Sequence, residues 1–96
     1  MDEDIKKIAD FYGYENQSYI LIEEMAELTQ AIIKMYRKRW LSDNVEEEVR
    51  HIKEEIADVE ICLDQIKYLL EFDDLDEIRR YKIDRQKRRM EKIIDG

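Results

Sequence analysis

Across 96 residues the chain has no proline and only two glycines, Gly13 and Gly96. Sheets need tight turns every few residues, and tight turns draw heavily on both residue types. An all-β fold is therefore ruled out at the start, and long uninterrupted helices are the remaining way to order the backbone. The composition agrees: 44% of residues are charged and 44% hydrophobic, the mixture that amphipathic helices require.

Punctuation divides the chain into four predicted helices. The first runs from about Asp2 to Phe11 and stops near Gly13, a residue suited to a left-handed C-terminal position. The second starts near Asn16 or Ser18 and reaches about Trp40. The run Ser42-Asp43-Asn44 breaks the pattern, and Asn44 with Glu47 fits a capping box that opens the third helix. That helix runs to about Leu70. Asp73-Asp74 caps a fourth, which runs to about Ile94. The short connections favour antiparallel neighbours. The expected fold is thus all-α, a single domain over residues 1–96, built as an antiparallel bundle of about four helices. In it the second and third helices form a hairpin and the fourth packs against them. A chain of this size buries a modest core, so homo-oligomerisation is expected to complete the bundle.

Charge bounds the partners. The net charge is −8, which argues against nucleic acid or an anionic membrane. No apolar run approaches the ~20 residues of a membrane helix. The acidic start Met1-Asp2-Glu3-Asp4 lacks the basic opening of a signal peptide. Cys62 stands alone, with no intrachain disulfide available, which fits a reducing compartment. A cytoplasmic location is expected.

The helical wheel exposes an anomaly. On the second helix Ile20, Leu21, Leu28, Ala31 and Met35 share one arc, while Glu23, Gln30, Lys34 and Arg37 face away from it. Glu24 falls inside the apolar arc, and Glu27 lies at its edge, roughly 60° round. Gln17 projects on the same side two turns earlier. The third helix repeats the layout. Glu55 lies near the centre of an arc formed by Ile52, Val59, Cys62, Leu63 and Ile66, and Asp58 lies at its edge. Each helix thus carries an inward carboxylate with a second one at i+3.

Unpaired buried carboxylates are costly, and four converging ones repel or take up protons. A hard divalent cation relieves both problems, because Mg²⁺ takes oxygen ligands. An oxygen-only set favours Mg²⁺ or Mn²⁺ over zinc or copper. Glu24, Glu27, Glu55 and Asp58 are the expected ligands. The competing reading is an internal salt-bridge network with Lys82, Arg85 and Arg89. A di-iron bundle usually draws Glu-x-x-His from two helices. Glu48-Val49-Arg50-His51 supplies that spacing once, and there is no second histidine. His51 lies one turn before Glu55 and reads as a packed or supporting residue.

The fourth helix is basic. Lys82, Gln86 and Arg89 share the side of Leu75, Ile78 and Ile93, with Arg85 at the edge. Inward cations beside a metal site suit phosphate oxygens. The plainer reading is that their stems cover apolar surface while their heads reach water.

These motifs resemble a known family. Glu23-Glu24-Met25-Ala26-Glu27, followed by Glu55-Ile56-Ala57-Asp58, is similar to the paired acidic motifs of the MazG-like nucleotide pyrophosphohydrolases. These belong to the all-α NTP pyrophosphatase superfamily, which also includes dimeric dUTPases. The likeness takes in Gln17 and the stretch Lys82-Ile83-Asp84-Arg85-Gln86 with Arg89, so it spans roughly residues 14–94. It implies a homodimer or homotetramer with Mg²⁺-dependent cleavage of nucleoside triphosphates to monophosphate and pyrophosphate. By that resemblance Glu24, Glu27, Glu55 and Asp58 are metal ligands. Glu23, Glu24 and Glu27 are the catalytic group, with Glu23 or Glu27 as general base. Lys82, Arg85 and Arg89 are phosphate contacts. The gap between the motifs is longer than in the shortest members of the family. Two other functions suit the same charges: a non-enzymatic helical interaction module, and a regulatory nucleotide binder.

Overall fold

The computed structural model describes residues 1–96 and contains three helices: α1 (Glu3–Arg39), α2 (Glu46–Leu69) and α3 (Leu75–Asp95). No strand is present, and no helix is long and apolar enough to cross a membrane. The first two predicted helices are both present and run together as α1, joined across a kink where the break is expected. Gly13 does interrupt regular geometry, at φ 84° and ψ 166°, a backbone region essentially reserved for glycine. The chain resumes helix immediately beyond it. The break expected at Gly13 is therefore a kink within α1, because both flanking segments have helical sequences and the interruption is a single residue.

Terminal chemistry sets the other boundaries. At the start of α1 the Asp2 side chain accepts a hydrogen bond from the Asp4 backbone N–H at 2.8 Å. Glu3 and Asp4 occupy the first turn and Arg37, Lys38 and Arg39 the last, each sign complementing the helix dipole. The expected Asn44/Glu47 capping box does not form. Val45 is the N-cap residue of α2, and Asn44 Oδ1 instead accepts from the Glu46 N–H at 3.3 Å. The turn Ser42–Asn44, closed by Asn44 N–H on Ser42 Oγ at 3.1 Å, has moved the cap one residue on. Asp74 is the N-cap residue of α3 but makes no side-chain capping bond.

α2 ends in a Schellman motif. The Phe72 N–H bonds Lys67 O at 3.1 Å and the Glu71 N–H bonds Tyr68 O at 3.2 Å. Glu71 adopts the left-handed conformation, φ 55°, where glycine is usual and a side chain costs roughly 1–2 kcal/mol. This strained corner directs the chain into α3.

Helices α1 and α2 pack as an antiparallel hairpin, and their register can be read from pairs along the seam. Tyr68 donates to Asp10 Oδ2 at 2.9 Å, Gln17 Nε2 donates to Gln65 Oε1, and Glu24 lies opposite Glu55 and Asp58. The buried apolar residues are Ala9, Ala31, Val59 and Cys62. All are small, which lets the two backbones approach but buries little apolar area.

The fourth predicted helix forms as α3, but it does not pack against the hairpin. It contacts neither α1 nor α2, and none of its residues is buried. The amphipathic pattern fixes which face seeks a partner, not where that partner is. The consequence is a large surface. The accessible area is 8106 Å², whereas a compact chain of 11.8 kDa exposes about 5900 Å². The radius of gyration is 17.6 Å, against about 12.5 Å for a compact domain of this length.

Candidate metal centre

The hairpin seam brings together residues from two separate helical turns. On α1 the i+3 spacing sets Glu24 and Glu27 on the side facing α2. On α2 it does the same for Glu55 and Asp58. Carboxylate oxygens of Glu24, Glu55 and Asp58 all lie within 4.8 Å of one another. Glu55 is buried, Glu24 half-buried and Asp58 exposed, so the cluster opens to solvent on the Asp58 side. Oxygens with this spread can reach a common cation at the 2.0–2.6 Å ligand distances of Mg²⁺ or Ca²⁺ after small side-chain adjustments.

Two details point to a missing positive charge. Glu24 Oε2 and Glu55 Oε2 are both buried and neither has a hydrogen-bond partner. Native proteins seldom leave such acceptors unsatisfied. Burial pushes the Glu24 carboxyl above its ordinary value of 4.5, and the charges of Glu27, Asp58 and Glu55 push it further in the same direction. A carboxylate crowded by three others is a poor neighbour for them and a good ligand for a cation. These donors therefore fit a hard divalent metal.

The fourth expected ligand, Glu27, is exposed and lies outside the three-residue cluster. Its charge nonetheless acts on Glu24, whose carboxyl pKa it helps to raise. Glu23 is exposed, on the outer side of α1. Lys82, Arg85 and Arg89 all belong to α3, which packs against neither hairpin helix. Within one chain these three cations are not gathered at the carboxylates. The competing salt-bridge network is absent, and Glu24 and Glu55 keep their unsatisfied oxygens.

Three neighbours shape the site. His51 Nε2 sits 3.2 Å from Glu55 Oε1. The contact engages one oxygen and leaves Oε2 as the unpartnered one. Cys62 is buried. Desolvation, with the charges of Glu24 and Asp58, raises its thiol pKa, and the sulfur lies outside the cluster, whose donors are all carboxylate oxygens. Two turns along the seam, Gln17 and Gln65 are buried and joined by their hydrogen bond, with Asn16 Nδ2 donating to Gln17 Oε1 at 2.9 Å. This amide layer locks the register that brings Glu24 opposite Glu55. Gln65 escaped the sequence reading, although its place seven residues after Asp58 mirrors that of Gln17 seven before Glu24.

The chain matches no family model, no curated protein and no solved structure.

Proposed function

We propose that the protein is a homo-oligomeric, Mg²⁺-dependent nucleoside triphosphate pyrophosphohydrolase, cleaving between the α and β phosphates to give monophosphate and pyrophosphate. The observation that carries this reading is the convergence of Glu24, Glu55 and Asp58 within 4.8 Å with two of their buried oxygens unpartnered. The resemblance of the two acidic motifs to the MazG-like enzymes supplies the reaction class.

Glu24, Glu55 and Asp58 would hold the cation, Mn²⁺ being an alternative to Mg²⁺. Bound there, a divalent ion offsets phosphate charge and orients water. His51 fixes the Glu55 carboxylate by engaging Oε1. Glu27, beside Glu24 but outside the cluster, keeps a free carboxylate able to accept the proton of an attacking water. Glu23 is the second choice for that role. Lys82, Arg85 and Arg89 supply the guanidinium and ammonium groups that phosphates require. Water adds to the α phosphorus, pyrophosphate departs with the electron pair of the broken P–O bond, and Glu27 holds the proton released.

A second reading has its own observation. Arg85 Nε is buried without a hydrogen-bond partner, and α3 stands apart, as in a helical module that recognises an acidic partner. One experiment separates the two. Pyrophosphate release is measured over a panel of dNTPs and NTPs with Mg²⁺, with chelator, and with Glu55→Gln. The enzymatic reading expects turnover that chelator and substitution both abolish. Turnover that survives both overturns the mechanism, and no turnover on any nucleotide favours the module.

A further inference from the structure

The helix that packs on nothing and the exposed faces of the hairpin complement each other. α3 exposes Ile78, Tyr81, Ile83, Met90, Ile93 and Ile94, with Ile93 80% exposed. Between these apolar residues lie Lys82, Arg85 and Arg89, in a helix that is net basic although the chain carries −8. The hairpin shows the complementary surface. Ile22, Met25 and Ile33 of α1 and Val49, Ile56 and Ile61 of α2 are exposed, beside an acidic run that starts at Glu46, Glu47 and Glu48. Arg85 Nε, buried without a hydrogen-bond partner, lies among the basic residues of α3.

We infer that α3 docks on the α1–α2 hairpin of a second copy of the chain, and receives that copy's α3 on its own hairpin in return. Lys82, Arg85 and Arg89 then reach the acidic seam of the partner, so each site combines carboxylates from one chain with cations from the other. Area supports a second copy as the occupant. The chain exposes roughly 2000 Å² more than a compact protein of its mass, well above the ~800 Å² per partner of a standard interface and in the range of obligate dimers. Reciprocal exchange covers two such excesses at once and closes by two-fold symmetry. The left-handed corner at Glu71 leads into α3, which makes no contact with its own hairpin.

This inference rests on the homo-oligomeric reading above, and one experiment tells their failures apart. The full-length protein is weighed in solution by light scattering, then treated with an amine-reactive cross-linker. Covalent-dimer and monomer bands from a denaturing gel are mapped for links between Lys82, Lys87 or Lys92 of α3 and Lys34 or Lys53 of the hairpin. The expected result is a mass of at least twice 11.8 kDa, with α3–hairpin links in the dimer band and none in the monomer band. A monomeric mass overturns both readings. An oligomer with these links in the monomer band means that α3 folds on its own hairpin. An oligomer without them means association through other faces. Either result leaves self-association standing and overturns the exchange.

Discussion

The hairpin and α3 obey the same local rules and reach opposite outcomes. Both are amphipathic, and both place charged groups on faces that should be apolar. In α2 the inward carboxylate Glu55 is buried against α1, with His51 on one oxygen. In α3 the inward cations face no other element of the chain. The comparison teaches that amphipathicity specifies a face and its chemistry, while the partner is chosen by what else is within reach. The hairpin supplies its own partner through a short turn. α3 leaves over a strained corner and must find one elsewhere.

The largest expected effect separates the regions by chemistry. Glu55→Gln should lower pyrophosphate release at least 100-fold, about 2.7 kcal/mol, in steady-state assays. The same change should raise the melting temperature of the metal-free protein, because it removes a charge from a crowded cluster. A fall in both would mean that Glu55 serves stability rather than a site. Gly13→Val comes next. A Cβ at Gly13 meets nothing within 4 Å, so the penalty is purely that of the backbone. A loss of about 1–3 kcal/mol is expected in urea denaturation, whereas an unchanged midpoint would mean that the kink is dispensable.

In α3, Ile78→Asp should weaken self-association at least tenfold, about 1.4 kcal/mol, by dilution in sedimentation experiments. Helix content of the hairpin should stay constant. Glu71→Gly should act in the smallest way on the folded chain, adding about 0.5–1 kcal/mol at the left-handed corner. Calorimetry checks this, and a destabilised variant would mean that the Glu71 side chain makes the corner rather than tolerating it.

Sequence reading recovered the ends of α2 and α3 closely because their stop signals are local: an acidic cap region, a broken pattern, a last apolar turn. The i+3 carboxylate pairs were equally legible, since Glu24 and Glu55 interrupt apolar arcs. What the pattern lacked was the third dimension of the seam. Glu27 has the right spacing but is exposed and lies outside the cluster, a distinction that spacing alone does not carry. Gly13 marked the break and the helix beyond it was expected, but the pattern did not show that the interruption is confined to a kink within one element. The detachment of α3 was invisible, because a helix without a partner and one packed on a hairpin have the same periodicity.

Proton and metal compete for the same oxygens, and the sign of that competition is fixed. The Glu24 carboxyl is raised above 4.5, first by burial and then by Glu27, Asp58 and Glu55. Its contribution to the stability of the metal-free protein is present below 4.5 and is lost as pH rises through the folded-state value. Mg²⁺ should restore stability most on the alkaline side, where Glu24 is ionised. The most direct test is therefore calorimetric titration of the protein with Mg²⁺ and Mn²⁺ at pH 8 and pH 5, alongside Glu24→Gln and Glu55→Gln. Saturable binding at pH 8 that weakens at pH 5, and that either substitution reduces at least tenfold, is the expected result. No saturable binding at pH 8, or equal affinity in the substituted proteins, would contradict the claim that these carboxylates form a metal centre.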